Sequence, residues 1–273
     1  MRRIIGIIGC GNMGEAIAKQ LLSKYKILIF DKDSQKTNGL KGVENEATAV
    51  DLVNKVDTII LAVKPQDVED LLTEIKNFIL DKLVVSIAAG ITTDYIEKYL
   101  GNVRVVRVMP NLPAKIGLGM TCLCKGKLST NEELNFTKEL FSMIGETLIL
   151  NEDMMDEATA ISGSGPGFLY DLSENKGLDE IKKFAEDIFI PSLVSAAVSI
   201  GFSLEQAMIL AKTTTKGSII LLKKTKLSPL ELKKQVASKG GTTEAGLEIL
   251  HKGGSLEEAV KAALKRSKEL ARS

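Results

Sequence analysis

The chain has very little histidine. Among its 273 residues there is one, His251, so a metal site built on several histidines is excluded and no metal is expected. A serine–histidine pair is possible only through that residue. His251 sits in a helical pattern near the end of the chain, where a histidine closing a helix is the simpler reading, since the last turn favours a cation. Cysteine is scarce too. Three residues, Cys10, Cys122 and Cys124, cannot build a disulfide framework. The last two alternate on a strand-like segment without CxxC spacing, which suits a reducing compartment and predicts a cytoplasmic protein. No apolar run reaches the roughly 18 residues that cross a bilayer, so no membrane partner is expected. The charged start, Met1-Arg2-Arg3, precedes a short apolar run that enters a glycine loop, and it reads as a buried strand rather than a leader. Nor is there a charge surplus. Lys plus Arg total 36 against 35 Asp plus Glu, and nothing points to nucleic acid.

What is present is a large apolar fraction, 44%, in an ordered alternation. Strand-like runs at 3–8, 26–31, 58–63, 83–87, 103–108, 119–124 and 147–150 are separated by helical patterns near 12–23, 46–55, 66–79, 92–99 and 131–144. Such alternation predicts βαβ units and a parallel sheet. Runs such as Thr58-Ile59-Ile60-Leu61-Ala62-Val63 are apolar almost throughout, as in a sheet covered on both faces. Past residue 151 no strand pattern follows. Helical periodicity runs to the end, with caps at Ser203 (Gln206 three positions on), Ser228 before Pro229, and Ser255. The expected class is α/β: a Rossmann-type dinucleotide-binding domain at 1–152, then an all-helical domain at 153–273.

Gly9-Cys10-Gly11-Asn12-Met13-Gly14 spells G-x-G-x-x-G between a strand and a helix, with a second strand after it. In that context the pattern is a dinucleotide fingerprint. Gly9 allows the tight turn, Gly11 the approach of a pyrophosphate, and Gly14 close helix–strand packing, while the amides of Asn12 and Met13 open the helix. Asp31 ends the second strand, where a carboxylate binds the ribose hydroxyls of NAD. Lys32, Ser34 and Lys36 follow at once and suit the 2′-phosphate of NADP, so the spacing leaves NADPH and NADH both open.

Further motifs appear in order: Val63-Lys64-Pro65-Gln66, Ser86-Ile87-Ala88-Ala89-Gly90-Ile91, Arg107-Val108-Met109-Pro110-Asn111-Leu112-Pro113, Ser162-Gly163-Ser164-Gly165-Pro166, and Ser238-Lys239-Gly240-Gly241-Thr242-Thr243-Glu244. In this order they resemble the pyrroline-5-carboxylate reductase family over nearly the whole chain, the last being the most specific. The resemblance implies reduction of 1-pyrroline-5-carboxylate to L-proline by hydride from NADPH or NADH, the last step of proline biosynthesis. It places Asn45, Ala62, Val63, Lys64 and Pro65 beside the adenosine and ribose, and Met109, Pro110 and Asn111 near the nicotinamide. It assigns the substrate carboxylate to Gly241, Thr242 and Thr243, within a loop that includes Ser238 and Gly240. It puts the Thr243 hydroxyl, the catalytic candidate, beside the ring nitrogen, and it implies a homodimer or larger homo-oligomer. On residues alone, Ser238–Thr243 is a loop entering a helix, whose free amides hold a carboxylate or whose threonine simply caps it.

The chain departs from the family pattern in places. Leu112 stands for threonine, Gly167 for alanine and Lys239 for proline. The polar stretch Tyr170–Asp187 is an insertion, expected as a surface helix, with a substrate lid as the sharper alternative. Two other functions fit the two-domain plan: a β-hydroxyacid-type dehydrogenase using Lys212 or Lys216, and a reductase-like regulatory protein without catalysis.

Overall fold

The computed structural model describes residues 3–79 and 81–271; Met1 and Arg2 of the charged start lie outside them. Two compact units form, one of Met1–Met109 with Cys122–Glu152, the other of Pro110–Thr121 with Asp153–Ser273.

The first unit follows the alternation of the sequence: β1 (Ile4–Ile8), α1 (Asn12–Leu21), β2 (Lys26–Phe30), β3 (Glu44–Asn45), α2 (Ala49–Asn54), β4 (Thr58–Leu61), α3 (Val68–Ile75), β5 (Leu83–Ser86), α4 (Thr93–Leu100), β6 (Arg104–Met109), β7 (Gly119–Lys125), α5 (Asn131–Ser142) and β8 (Gly145–Ile149). The strands make one sheet in the order β3-β2-β1-β4-β5-β6-β7-β8. Each pair from β3 to β6 is parallel, whereas β6 and β7 are antiparallel, with Arg107 opposite Cys124. The expected parallel sheet thus ends in one antiparallel pair there. Between β6 and β7 lies only a 3₁₀ helix, Leu112–Ile116, too short for the crossover that a parallel return requires. The two-residue β3 was also unforeseen, and the helix expected from 46 begins at Ala49 behind the Thr48 cap.

Both faces of β4 and β5 are buried. In α3, Val68, Leu71, Leu72 and Ile75 are buried at helical spacing and pack with Ile59, Leu61 and Val84. Removing the Leu72 side chain to alanine costs about 2–5 kcal/mol. The strand order turns back at β1 and β4, and in open α/β sheets the crevice at such a switch point receives the ligand.

The second unit is helical: α6 (Met155–Ala158), α7 (Gly165–Leu172), α8 (Leu178–Phe184), α9 (Ile190–Ser199), α10 (Leu204–Thr225), α11 (Pro229–Val236), α12 (Thr242–His251) and α13 (Leu256–Leu270). Single π-helical turns at Thr159–Gly163 and Ala185–Phe189 lead into α7 and α9. Ser203, Ser228 and Ser255 each cap their helix in a capping box. Although it lies within 1–152, Pro110–Thr121 packs with these helices. The Asn111 amide donates to the Ser162 carbonyl at 3.0 Å, and Gly217 on α10 leaves room for the Leu118 carbonyl. The inserted stretch extends α7 and forms α8. Most of its polar residues face out, but Ser173 is buried, and Tyr170 and Ile181 join Leu221 and Leu232 in a core cluster. The Tyr170 hydroxyl donates to the Ser218 carbonyl at 3.0 Å. One side of the insertion is therefore part of the core.

Candidate active site

In the first unit, α1 starts without a side-chain cap, because its N-cap is Gly11. A Cβ on Gly11 would meet no protein atom within 4 Å, so the loop is open to a ligand there. Gly9 takes φ +104°, and a Cβ on it would lie 2.5 Å from the Ala62 carbonyl oxygen; one on Gly14 would overlap the Gly9 carbonyl. A bare backbone loop at a helix start is what a pyrophosphate needs, and the residues present fit that group.

Beside it a cleft of about 430 Å³ gathers Gly9, Gly11, Asp31, Lys36, Val63 and Lys64, with Lys32 and Ala62 also on its wall. Asp31 is turned inward. Its Oδ2 accepts the Cys10 amide at 2.6 Å, and its Oδ1 accepts the Asp33 amide at 2.9 Å and Lys36 Nζ at 3.4 Å. Burial works to raise the Asp31 pKa, but these donors outweigh it and hold the carboxyl below its ordinary value. The buried Cys10 thiol donates to the Lys36 carbonyl at 3.3 Å, a second tie between the glycine loop and the turn after β2. Lys32 and Lys36 remain about half exposed or more. Asn45 is exposed on β3 and does not line this cleft; nor does Met109, half-buried at the end of β6. Pro65 opens an exposed 3₁₀ turn just beyond Lys64.

In the second unit, α12 begins at Thr242 with Gly241 as N-cap and no side-chain cap. A threonine cap is thus not what the two threonines provide; they are the first two residues of the helix. The loop before them is held from two sides. Gly240, at φ +69°, donates its amide to Glu244 Oε2 at 2.5 Å, and its carbonyl accepts Arg266 Nε at 2.7 Å. The Gly241 amide turns back to the Ser238 carbonyl at 2.9 Å, while Lys239 is exposed. Thr243 is buried, and its hydroxyl donates to Ser164 Oγ at 3.2 Å; Thr242 Oγ1 lies 3.1 Å from the same oxygen. Sequence reasoning quoted Ser164 and Glu244 within motifs but gave them no role, and it missed Arg266 altogether. Distance in sequence hid Arg266, which lies 26 residues beyond the carbonyl it holds.

Other candidates fall elsewhere. The side chain of buried Asn111 is spent within the second unit: its amide donates to Ser162 O and Thr214 Oγ1, and its oxygen accepts the Met120 amide at 2.8 Å. Only its backbone is left for a ligand, and Pro110 beside it is buried. Lys212 and Lys216 are exposed on α10, whose buried side carries Thr214 and Thr215. His251 ends α12 and meets Asp171 at 3.0 Å. Among the described residues, no group of three or more His, Cys, Asp or Glu is placed to hold a metal. None of their helices is long and apolar enough to cross a membrane.

Residues 4–90 match the family model described as "NADP oxidoreductase coenzyme F420-dependent", and 187–270 match "Pyrroline-5-carboxylate reductase dimerisation". A pyrroline-5-carboxylate reductase of Aquifex aeolicus is 34% identical, covering 92% of this chain and 89% of that protein. One from Pisum sativum is 32% identical, covering 97% and 95%. The crystal structure of the Plasmodium falciparum pyrroline carboxylate reductase with NADP bound superposes with TM-score 0.65 at 29% identity, covering 99% and 98%. A 3-hydroxyisobutyrate dehydrogenase from Mycobacterium tuberculosis reaches TM-score 0.53 over 96% and 99%, but at 12% identity it shares the fold alone.

Proposed function

The chain belongs to the pyrroline-5-carboxylate reductase family, and from that premise we propose that it reduces 1-pyrroline-5-carboxylate to L-proline with NADPH or NADH, the last step of proline biosynthesis. The observation that carries this reading is α12, which starts uncapped at two threonines and whose second hydroxyl is held by Ser164.

The substrate is a five-membered cyclic imine bearing a carboxylate. Once its nitrogen is protonated, the C=N carbon is electrophilic enough to need no strong enzymic acid, which suits a chain with one histidine. The reduced nicotinamide, when bound, supplies the hydride. The protein supplies orientation. The amides of Thr242 and Thr243 take the carboxylate, as a helix start does for anions, within the turn shaped by Ser238, Gly240 and Gly241, whose own amide is held by the Ser238 carbonyl. The Thr243 hydroxyl, the catalytic group, meets the ring nitrogen. Gly9, Gly11, Asn12, Met13 and Gly14 hold the pyrophosphate, and Ala62, Val63, Lys64 and Pro65 flank the adenosine and ribose. Met109, Pro110 and the Asn111 backbone serve the nicotinamide end. Since the Asp31 oxygens already have donors, Lys32 and Lys36 read the ribose and NADPH is preferred.

The apolar side chains left exposed around α9 and α10, among them Ile188, Val198, Leu204 and Met208, form the subunit contact of a homodimer or larger homo-oligomer, checked by light scattering in solution. The buried cysteines, none of them in a disulfide, suit a reducing compartment such as the cytoplasm. The function itself is tested by loss of reduced-nicotinamide absorbance with pyrroline-5-carboxylate, run with NADPH and NADH separately, and by detection of proline. Turnover supports the reading. No turnover with either cofactor, in folded protein that still binds NADPH, overturns it.

A further inference from the structure

Ser164 stands at the start of α7, yet its hydroxyl does not cap that helix. Ser203, Ser228 and Ser255 each spend theirs on an amide three residues on. The Ser164 side chain, fully buried, instead reaches across 78 and 79 residues of sequence to the hydroxyls of Thr242 and Thr243. The bond to Thr243 has a sense: Thr243 donates and Ser164 accepts. One turn further along α7, Gly167 has no Cβ where one would overlap Thr243 Cγ2. Helix α7 is cut away at the point where Thr243 seats, and a serine receives its hydrogen.

We propose that Ser164 is a positioning residue that fixes the polarity of the Thr243 hydroxyl. A hydroxyl has one hydrogen and two lone pairs. With its hydrogen committed to Ser164, Thr243 presents only lone pairs to the ring nitrogen, so it accepts the N–H of the protonated imine and donates no proton. The step then balances without an enzymic acid. Hydride forms the new C–H bond, the C=N π pair becomes the nitrogen lone pair, and the N–H proton stays on the proline formed. Thr243 thereby selects the protonated, electrophilic imine over its neutral form. The proposal rests on the reductase reading above. None of the ionisable groups on α7 and α12 bonds to these three hydroxyls: Asp171 is paired with Lys233 and His251, Glu244 takes the Gly240 amide, and Glu248 is exposed. His251 lies roughly 12 Å away along α12, eight residues at the helical rise.

The test is the pH profile of kcat/KM for pyrroline-5-carboxylate in wild type and Ser164→Ala, at saturating NADPH. The alanine fits the serine's space, and NADPH affinity and melting temperature report whether the fold is kept. In Ser164→Ala the Thr243 hydrogen is free to turn toward the nitrogen. At low pH it then opposes the protonated imine, and kcat/KM falls by about tenfold, the orientation of one charge-assisted hydrogen bond. As pH rises the hydrogen bonds the neutral imine, so the ratio of variant to wild type climbs. A Ser164→Ala profile scaled by a constant factor, or equal to wild type, overturns the proposal while wild-type turnover leaves the reductase reading standing. Absence of wild-type turnover removes both.

Discussion

The two units share one device, a helix start at a bare glycine, on different supports. In each, a helix begins at a glycine N-cap that brings no side chain to its first-turn amides, Gly11 before α1 and Gly241 before α12. Thr48, Thr92, Thr130, Ser203, Ser228 and Ser255 each close another start with a side chain, while α3, α6, α7, α8 and α9 lack a side-chain cap as well. The supports differ. The first loop is braced locally, by β1, β2 and the Asp31 carboxylate under the Cys10 amide. The second is braced from afar, by Ser164 on α7 and Arg266 on α13.

The largest effect expected from breaking this comparison is that of Gly14→Ala. Its Cβ overlaps the Gly9 carbonyl, a backbone atom that cannot swing away, so the overpacking costs about 1–3 kcal/mol or more. Both melting temperature and NADPH binding fall. Gly11→Ala separates the two, because its Cβ meets no protein atom. Melting temperature holds while the NADPH dissociation constant rises about tenfold, read by fluorescence titration, as the pyrophosphate loses a charge-assisted hydrogen bond. A smaller effect is expected at Lys36. Lys36→Ala lowers the NADPH-to-NADH ratio of kcat/KM by about fivefold, as an exposed ion pair is worth up to about 1 kcal/mol. An unchanged ratio returns the ribose to Asp31.

The smallest effect concerns the frame around α12. Burial raises the Asp171 pKa, but Lys233 and His251 outweigh it and hold the carboxyl below its ordinary 3.8. A depressed carboxyl stabilises the fold above its unfolded pKa, and that contribution disappears as pH falls through the folded value. Asp171→Asn therefore lowers the melting temperature at pH 7, and its difference from wild type closes below about pH 4. A difference that persists to lower pH contradicts the assignment.

The same contrast explains what the sequence made legible. The first site is one contiguous motif between a strand and a helix, and every support lies within a few dozen residues, so G-x-G-x-x-G and Asp31 were found directly. Which way the Asp31 carboxylate turns is not encoded in spacing; it depends on the amides of Cys10 and Asp33, and so the choice between NADPH and NADH stayed open. In the second site, Ser164 and Thr243 meet only when α7 and α12 pack, and nothing periodic marks such a contact. Resemblance to a family supplied the threonines but not the serine. In the fold, β3 is too short to show a period, and the antiparallel β7 follows from the short connection before it, a clue the apolar runs alone do not carry. The insertion read as polar because its charges dominate the composition, while Tyr170 and Ile181 carry its buried side.

The most direct measurement on the division of labour between the two sites is made on Thr243→Ala, with NADPH affinity and kcat/KM determined on the same preparation. The account predicts unchanged NADPH affinity and a loss of about 100-fold in kcat/KM, the worth of a hydrogen bond to a charged group. An unchanged kcat/KM, or a parallel loss of cofactor affinity, contradicts it.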